Sequence, residues 1–257
     1  MPKPAFPSLS LLLLLQGIVA SAGAAEPCMI RGGPLVMPLV ELYTSEGCSS
    51  CPPADRWLSS QLAQRDANFL AFHVDYWDDI GWPDRFASPR YSQRQRERVA
   101  AAGQGAIYTP QVMVGAMVQA SWHDGHAWEE TLQEARGPAG AALSLRMRPA
   151  GNGWKASIGA APVDAQAAGA QLWLARYIDN QASAVKAGEN RGATLHHDRV
   201  VRQLSGPWTL PATGAVSEQI DLPPEAGTWG VTAFVQDARG KVLQSVSLAA
   251  DACGKGP

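Results

Sequence analysis

The chain is sparing in charge and in cysteine, and beyond its first two dozen residues it has no long apolar run. Charged residues make up 17% of 257 positions and nearly cancel, leaving a net charge of -2 with no block of like sign. That excludes the basic surface of a nucleic-acid binder and the polybasic patch of a lipid-surface protein. There is no internal repeat, so solenoids are excluded. The single apolar segment, Leu9 to Leu15 followed by Ile18-Val19-Ala20, comes after Lys3 and ends in the small residues Ala20 to Ala25. It is too short and too weakly flanked for a stable membrane span, and it predicts a signal peptide over residues 1–25, cut after Ala22, Ala24 or Ala25. What is left, about 230 residues, suits one large or two ordinary domains. Such a chain is expected in the periplasm or outside the cell, with no membrane span after cleavage.

Only four cysteines are present. An even number in an exported chain allows three pairings. Cys48 with Cys51 is the local choice, which leaves Cys28 to meet Cys253 as a structural bond. Closing so long a loop is worth about 5 kcal/mol in the chain-entropy account.

Cys48-Ser49-Ser50-Cys51 carries the chemistry because of where it sits. It follows the apolar, β-branched run Leu35 to Thr44 and precedes a helical pattern with Trp57, Leu58 and Leu62. Two thiols three residues apart at a helix start can close a small disulfide, and the positive end of the helix dipole favours the thiolate of the first. A second strand reads Asn68 to Asp75, with residues 54–64 as crossover. Ser88-Pro89 signals a helix to about Ala102, Tyr108-Thr109-Pro110 turns into a strand through Gly115, and a further helix begins near Asp124. After the small-residue linker 137–142 the texture becomes alternating. Short strands between Gly, Pro and Asn turns predict an antiparallel, sandwich-like sheet. The expected organisation is an α/β domain over 26–137 and a β-rich domain over 143–253.

The order strand, CxxC, helix is that of thioredoxin. In that frame Cys48 attacks, Cys51 resolves, and Thr109-Pro110 has the context of the cis-proline bend that faces the two sulfurs and holds a partner backbone. Exchange of this kind needs an accessible thiol and no cofactor. The substrate would be a protein or a small thiol. A CxxC also serves metals, yet no second pair exists, so a copper-binding protein would need help from His73, His123 or His126. A static disulfide in a non-catalytic binding module is the remaining alternative.

Other residues read more quietly. Glu46 would raise the Cys48 thiol pKa if close. Asp55, one turn after Cys51, is either a proton acceptor for the resolver or a solvated first-turn carboxylate. The loop Tyr76 to Asp84 follows a strand end where open sheets place ligands. Arg90, Arg94 and Arg98 share one helix face and read as solvated. His196-His197 point to opposite faces of a strand and read as structural, and Gly188 to Gly192 is a turn-rich connection.

The string Glu41 to Asp55 (ELYTSEGCSSCPPAD) resembles the signature of a bacterial secreted family classed as a thioredoxin-like domain of unknown function. His73-Val74-Asp75-Tyr76-Trp77, Tyr91 to Gln95, Tyr108 to Gln111, Gly188-Glu189-Asn190 and His196 to Arg202 are similar to that family as well. The resemblance implies a thioredoxin-like fold, export and a redox role, without a substrate.

Overall fold

A computed structural model describes residues 28–254, together with Met1 and Pro2. The expected signal peptide lies outside these described residues. Among them, no helix is long and apolar enough to cross a membrane.

The elements run β1 (Cys28–Arg31), β2 (Leu39–Thr44), α1 (Pro52–Gln61), β3 (Asn68–His73), α2 (Pro89–Ala101), β4 (Gln111–Val114), β5 (Met117–Val118) and α3 (Gly125–Ala135). Then come β6 (Ala141–Ala150), β7 (Gly153–Pro162), β8 (Gln171–Ile178), β9 (Gln181–Ala184), β10 (Thr194–His197), β11 (Val200–Thr209), β12 (Val216–Leu222), β13 (Trp229–Gln236) and β14 (Val242–Ala249). The fold is mixed α/β, mostly sheet with few helices.

Helix starts follow their sequence signals. Ser88 caps α2, its hydroxyl accepting from the Arg90 N–H, and Pro89 fills the first helical position, where no N–H is needed. Asp124 caps α3. α1 starts differently: Cys51 occupies the cap position without a side-chain bond, followed by Pro52 and Pro53.

Residues 39–44 of β2 are all buried because both faces of the strand are covered. Val40 and Leu42 pack with Leu58 of α1 and Leu132 of α3. Leu39 and Tyr43 pack on the other face with Tyr91 and Val99 of α2. β2 lies parallel to β3, with α1 as crossover, and antiparallel to β4. In the eight-stranded sheet the order is β14-β13-β8-β11-β3-β2-β4-β5, so strands from both halves of the chain form one surface. Val200 of β11 bridges to Ala71 of β3 and makes the join. A four-stranded sheet, β1-β6-β7-β12, packs on the β8, β13 and β14 end through Leu145, Ile158, Leu174 and Val231. The stretch 137–142 is thus a link between packed layers, since β1 from the first segment pairs with β6 from the second. A disulfide joins Cys28 of β1 to Cys253, just past β14, with Cα atoms 5.0 Å apart.

The shared sheet also corrects the reading of the α2 arginines. Arg94 and Arg98 are buried, and both reach Glu41 in the middle of β2. Arg94 makes two bonds of 2.9 Å to that carboxylate and a third, of 2.8 Å, to Gln236. β13, which supplies Gln236, extends the sheet over a face that would be solvated if the first half stood alone. Burial pushes the Glu41 carboxyl up, but the two guanidinium groups outweigh it and hold the group at about 2. Only Arg90 keeps exposure, while bonding to the carbonyls of Leu204 and Gly206.

Candidate functional site

A disulfide joins Cys48 to Cys51 at the start of α1, with Cα atoms 5.4 Å apart. The turn is built by local bonds. The Cys48 N–H donates to the Ser45 carbonyl, and the Cys51 N–H to the Cys48 carbonyl, each at 3.2 Å. The Cys51 carbonyl then accepts the first helical bonds, from Ala54 at 2.9 Å and Asp55 at 3.1 Å. Both sulfurs therefore stand at the N-terminal end of a helix, where partial positive charge accumulates.

The Thr109-Pro110 bend lies across from this turn, and its peptide bond is cis. Cys48 Sγ is 3.7 Å from the Thr109 carbonyl oxygen. The Ser50 hydroxyl donates to the same oxygen at 3.3 Å. Trp77 Nε1 donates to Thr109 Oγ1 at 2.8 Å, so the loop after β3 holds the bend in place. Gly47 lets that loop come close: a Cβ there would stand 3.1 Å from Trp77 Cβ.

A second clamp comes from the far half of the chain. Asn190 Nδ2 donates to the carbonyls of Glu46 and Cys48, each at 2.9 Å. Glu189 Oε2 accepts from the Ser49 N–H at 3.0 Å, and the Ser49 side chain together with that N–H draws its carboxyl below the usual range. The sequence presents 188–192 as a turn; in space it fixes the backbone on both sides of Cys48.

Beneath the turn is a buried group of titratable side chains. His73 Nδ1 meets Asp84 Oδ2 at 2.6 Å, and Asp84 also accepts from the Glu46 N–H at 2.9 Å. Burial pushes Asp84 up, yet the His73 charge and bond, with the backbone donors, hold it at about 2. His73 moves the other way: burial lowers it, and Asp84 more than compensates, so its pKa is raised. The His197 ring crosses His73 at a centroid distance of 4.9 Å and sits between two carboxylates. Its Nε2 is 3.5 Å from Glu46 Oε1 and its Nδ1 is 3.6 Å from Asp55 Oδ2. Trp82 Nε1 donates to the other Glu46 oxygen at 2.7 Å. Burial raises Glu46, but the neighbouring His197 imidazole, with Ser183 nearby and the Trp82 bond, outweighs it against Asp84 repulsion and leaves it lowered. For Asp55 burial prevails over the attraction of the two imidazoles, and its pKa is raised. Glu46 Oε1, Asp55 Oδ2, His73 Nε2 and both His197 nitrogens lack a hydrogen-bond partner within normal distance.

A family model described as Protein of unknown function (DUF1223) matches residues 39–236. The chain belongs to this family. Two solved structures share its fold. A protein from Agrobacterium tumefaciens is similar with a TM-score of 0.61 at 22% identity, covering 83% of this chain and 94% of its own. HBP35 of Porphyromonas gingivalis is similar with a TM-score of 0.62 at 16% identity, covering 88% and 78% respectively. No curated protein matches.

In this DUF1223 chain the structure brings Cys48, Cys51, Thr109 and Pro110 together and corrects two of the quieter readings. Asp55 is a buried carboxylate facing an imidazole, with no solvated first-turn role, because β10 packs across α1. The expected strand alternation of His196 and His197 does occur, but the inward one faces the site. The sulfurs also differ from expectation. Both cysteines are 0% exposed in the joined form, while Ser49 and Ser50 are exposed above them. The Ser50 hydroxyl and the Thr109 carbonyl lie 3.3 and 3.7 Å from Cys48 Sγ, with Trp77 bonded to Thr109 behind them. As to metals, His123 is exposed beside Trp122 and His126 pairs with Glu130 at 3.4 Å. Among the described residues no group of three or more His, Cys, Asp or Glu is arranged to hold an ion.

Glu189, Asn190, Asp84 and His197 lie in segments that the family resemblance or the loop reading marks, but sequence reasoning gives none of them a role at the site. Asn190 sits between glycine-flanked polar residues that describe any turn, and its distance from Cys48 in the chain removes every local cue. The signals available were the strings Gly188-Glu189-Asn190 and His196 to Arg202 of the family resemblance, and the pairing of His196 with His197 in a strand, which turns one ring inward.

Proposed function

We propose that this chain is an exported thiol–disulfide oxidoreductase with a thioredoxin-like first half. Cys48 is the nucleophile, Cys51 the resolver, and Thr109-Pro110 the surface that holds the partner backbone. One observation carries the reading: a closed Cys48–Cys51 pair at a helix N-terminus with the Thr109 carbonyl 3.7 Å from the Cys48 sulfur. A structural disulfide needs no such facing bend, whereas an exchanging one needs an extended backbone held against the attacked atom. The two disulfides suit an oxidising compartment.

In the oxidising direction a substrate thiolate attacks Cys48 Sγ, the Cys48–Cys51 bond breaks, and the electron pair leaves on Cys51. The Cys51 thiolate takes a proton. A second substrate thiolate then attacks the substrate sulfur of the mixed disulfide. Cys48 is released as thiolate and the substrate leaves as its disulfide, oxidised by two electrons. Reduction is the reverse. Asp55, one turn beyond Cys51 and raised in pKa by burial, supplies and recovers the resolver's proton, with His197 balancing its charge toward Glu46.

The test is a redox titration of the purified chain with the 28–253 bond intact. A potential well above about -300 mV, a Cys48-dependent reduction of insulin, and a mixed disulfide trapped by Cys51→Ser are expected. A pair that stays closed below that potential, with no trapped adduct, would sink the proposal.

A further inference from the structure

Glu189 places a carboxylate beside the first cysteine from the far half of the chain. Its Oε2 accepts from the Ser49 N–H at 3.0 Å, and that nitrogen is bonded to the main-chain carbonyl carbon of Cys48. Standard bond lengths then put the carboxylate within about 8 Å of Cys48 Sγ, inside the Debye length of about 10 Å at 0.1 M salt. The Ser49 hydroxyl and N–H hold the carboxyl below its usual range, so it is ionised at neutral pH. Glu189, Ser49 and Ser50 are all exposed, which leaves the charge on the solvent side of the turn.

The carboxylates nearby reinforce this field. Gly188 packs on the loop after β3: a Cβ there would stand 3.2 Å from Trp82 Cβ and 3.7 Å from the Ile80 carbonyl oxygen. That loop carries Asp78 and Asp79, and burial, then repulsion from Asp84, Asp75 and Asp79, outweighs the Asp84 N–H and raises Asp78. Beneath the turn Glu46 adds a further carboxylate, while His73 is matched by Asp84. Lys186 and Arg191 share the Glu189 loop and are exposed, yet among the described residues no Lys or Arg side chain bonds to residues 45–51 or 108–110. The positive end of α1 opposes the field, but it acts on the sulfur of every thiol alike. Glu189, at the rim, acts on whatever charge a partner carries beside its sulfur.

We propose that Glu189 sets the charge preference of the exchange site, which takes thiols and disulfides bearing positive charge beside the sulfur over anionic ones. The assignment rests on the exchange reading of Cys48–Cys51. A thiolate that approaches Cys48 Sγ brings its substituents to the rim, where Glu189 attracts an ammonium or guanidinium and repels a carboxylate or sulfonate. As the new sulfur bonds to Cys48 Sγ, the 48–51 bond breaks and its electron pair leaves on Cys51, which takes a proton. Glu189 touches no reacting atom, so its effect is a ratio between partners.

The experiment reduces the full chain, both disulfides formed, with cysteamine, mercaptoethanol or mercaptoethanesulfonate, and with a cysteine peptide flanked by lysines or by glutamates. Opening of the 48–51 bond is read by quench, thiol labelling and mass mapping of Cys51. Each rate is divided by that of the same probe on Glu189→Gln, which keeps an acceptor for the Ser49 N–H, so the intrinsic reactivity of the probe cancels. We expect the quotient to fall about tenfold from cysteamine to the sulfonate at low salt, or about threefold per unit of charge. It should flatten at about 1 M salt, where the Debye length is about 3 Å. Sorting among the peptides, with or without the small thiols, assigns a polypeptide partner with Lys or Arg beside its cysteine; sorting among the small thiols alone assigns a small cationic thiol. A quotient equal for all probes reports only a loosened turn and overturns the proposal, as does a quotient that rises toward the anion, while the exchange reading stands. If no probe opens the pair, the exchange reading falls and the proposal with it.

Discussion

One side-chain nitrogen of Asn190 donates to two main-chain carbonyls that flank Gly47, those of Glu46 and Cys48. A residue far along the chain thus sets the backbone that presents the first cysteine. Asn190→Ala leaves two carbonyls without their donor, at a cost of about 1–3 kcal/mol for buried groups. Because the bonds are local to the CxxC, we expect more than a lower unfolding midpoint. The 48/51 disulfide should be reduced faster by a small thiol in Asn190→Ala than in the parent chain. Equal reduction rates at matched folded fraction would remove the clamp from the account.

The cover over Cys48 gives a second prediction. Trp77 Nε1 holds Thr109 Oγ1, and the Trp77 Cβ packs over Gly47. Trp77→Phe loses the bond and keeps a ring; Trp77→Ala loses bond and ring and keeps only the Cβ over Gly47. Reduction of Cys48–Cys51 by dithiothreitol, followed by thiol labelling, is expected to speed up in the order parent, Phe, Ala. Gly47→Ala gives the same direction by pressing on the Trp77 Cβ, since 3.1 Å is a tight contact that the Trp77 segment relieves by moving away. No acceleration in any of the three would place the barrier elsewhere.

The fold was legible where one element decided it and obscure where two distant ones did. β2, β3 and the helix between them could be read because their residues are apolar on both faces and the CxxC and Ser88-Pro89 mark helix starts. The pairing of Val200 with Ala71 could not be read: nothing in either strand says that the first sheet continues into the second half. That one join makes Arg94 and Arg98 core residues instead of surface ones. In the site, Cys48, Cys51, Thr109 and Pro110 stood out by motif. Asn190 and His197 fall in strings shared with the family, yet neither they nor Asp84 were given a role there, because each acts through a contact with no fixed spacing in sequence.

Glu41 supplies a prediction on stability. Removing either partner of its pair with Arg94 strands a buried charge, so Glu41→Leu and Arg94→Met should each cost about 3–5 kcal/mol, and the double variant less than their sum. The pH dependence has a definite sign. The Glu41 carboxyl is ordinarily near 4.5 and is held at about 2 in the fold. Its contribution is present above 4.5 and drains away as pH falls toward 2. Asp84, lowered from 3.8 to about 2, acts in the same window. Urea denaturation across that range should show the parent chain losing stability on acidification and Glu41→Leu losing less of it.

Asp55 has the opposite sign, and its prediction separates proton handling from stability. Its carboxyl is raised from 3.8, because burial outweighs His197 and His73. A group raised in the fold contributes fully below 3.8 and loses that contribution as pH rises through the folded value, so ionised Asp55 burdens the protein at neutral pH. Asp55→Asn removes the burden. It should be more stable than the parent at neutral pH, with the gain vanishing below the ordinary Asp range, as read by urea midpoints against pH. The same change removes the proton acceptor one turn from Cys51. Reduction of a mixed disulfide at Cys48, followed by rapid quench and thiol labelling, should slow by about 10²-fold or more. The slowing should shrink as pH rises and the Cys51 thiol ionises unaided. A variant that gains stability yet resolves at the parental rate at every pH leaves Asp55 a purely electrostatic neighbour of His197.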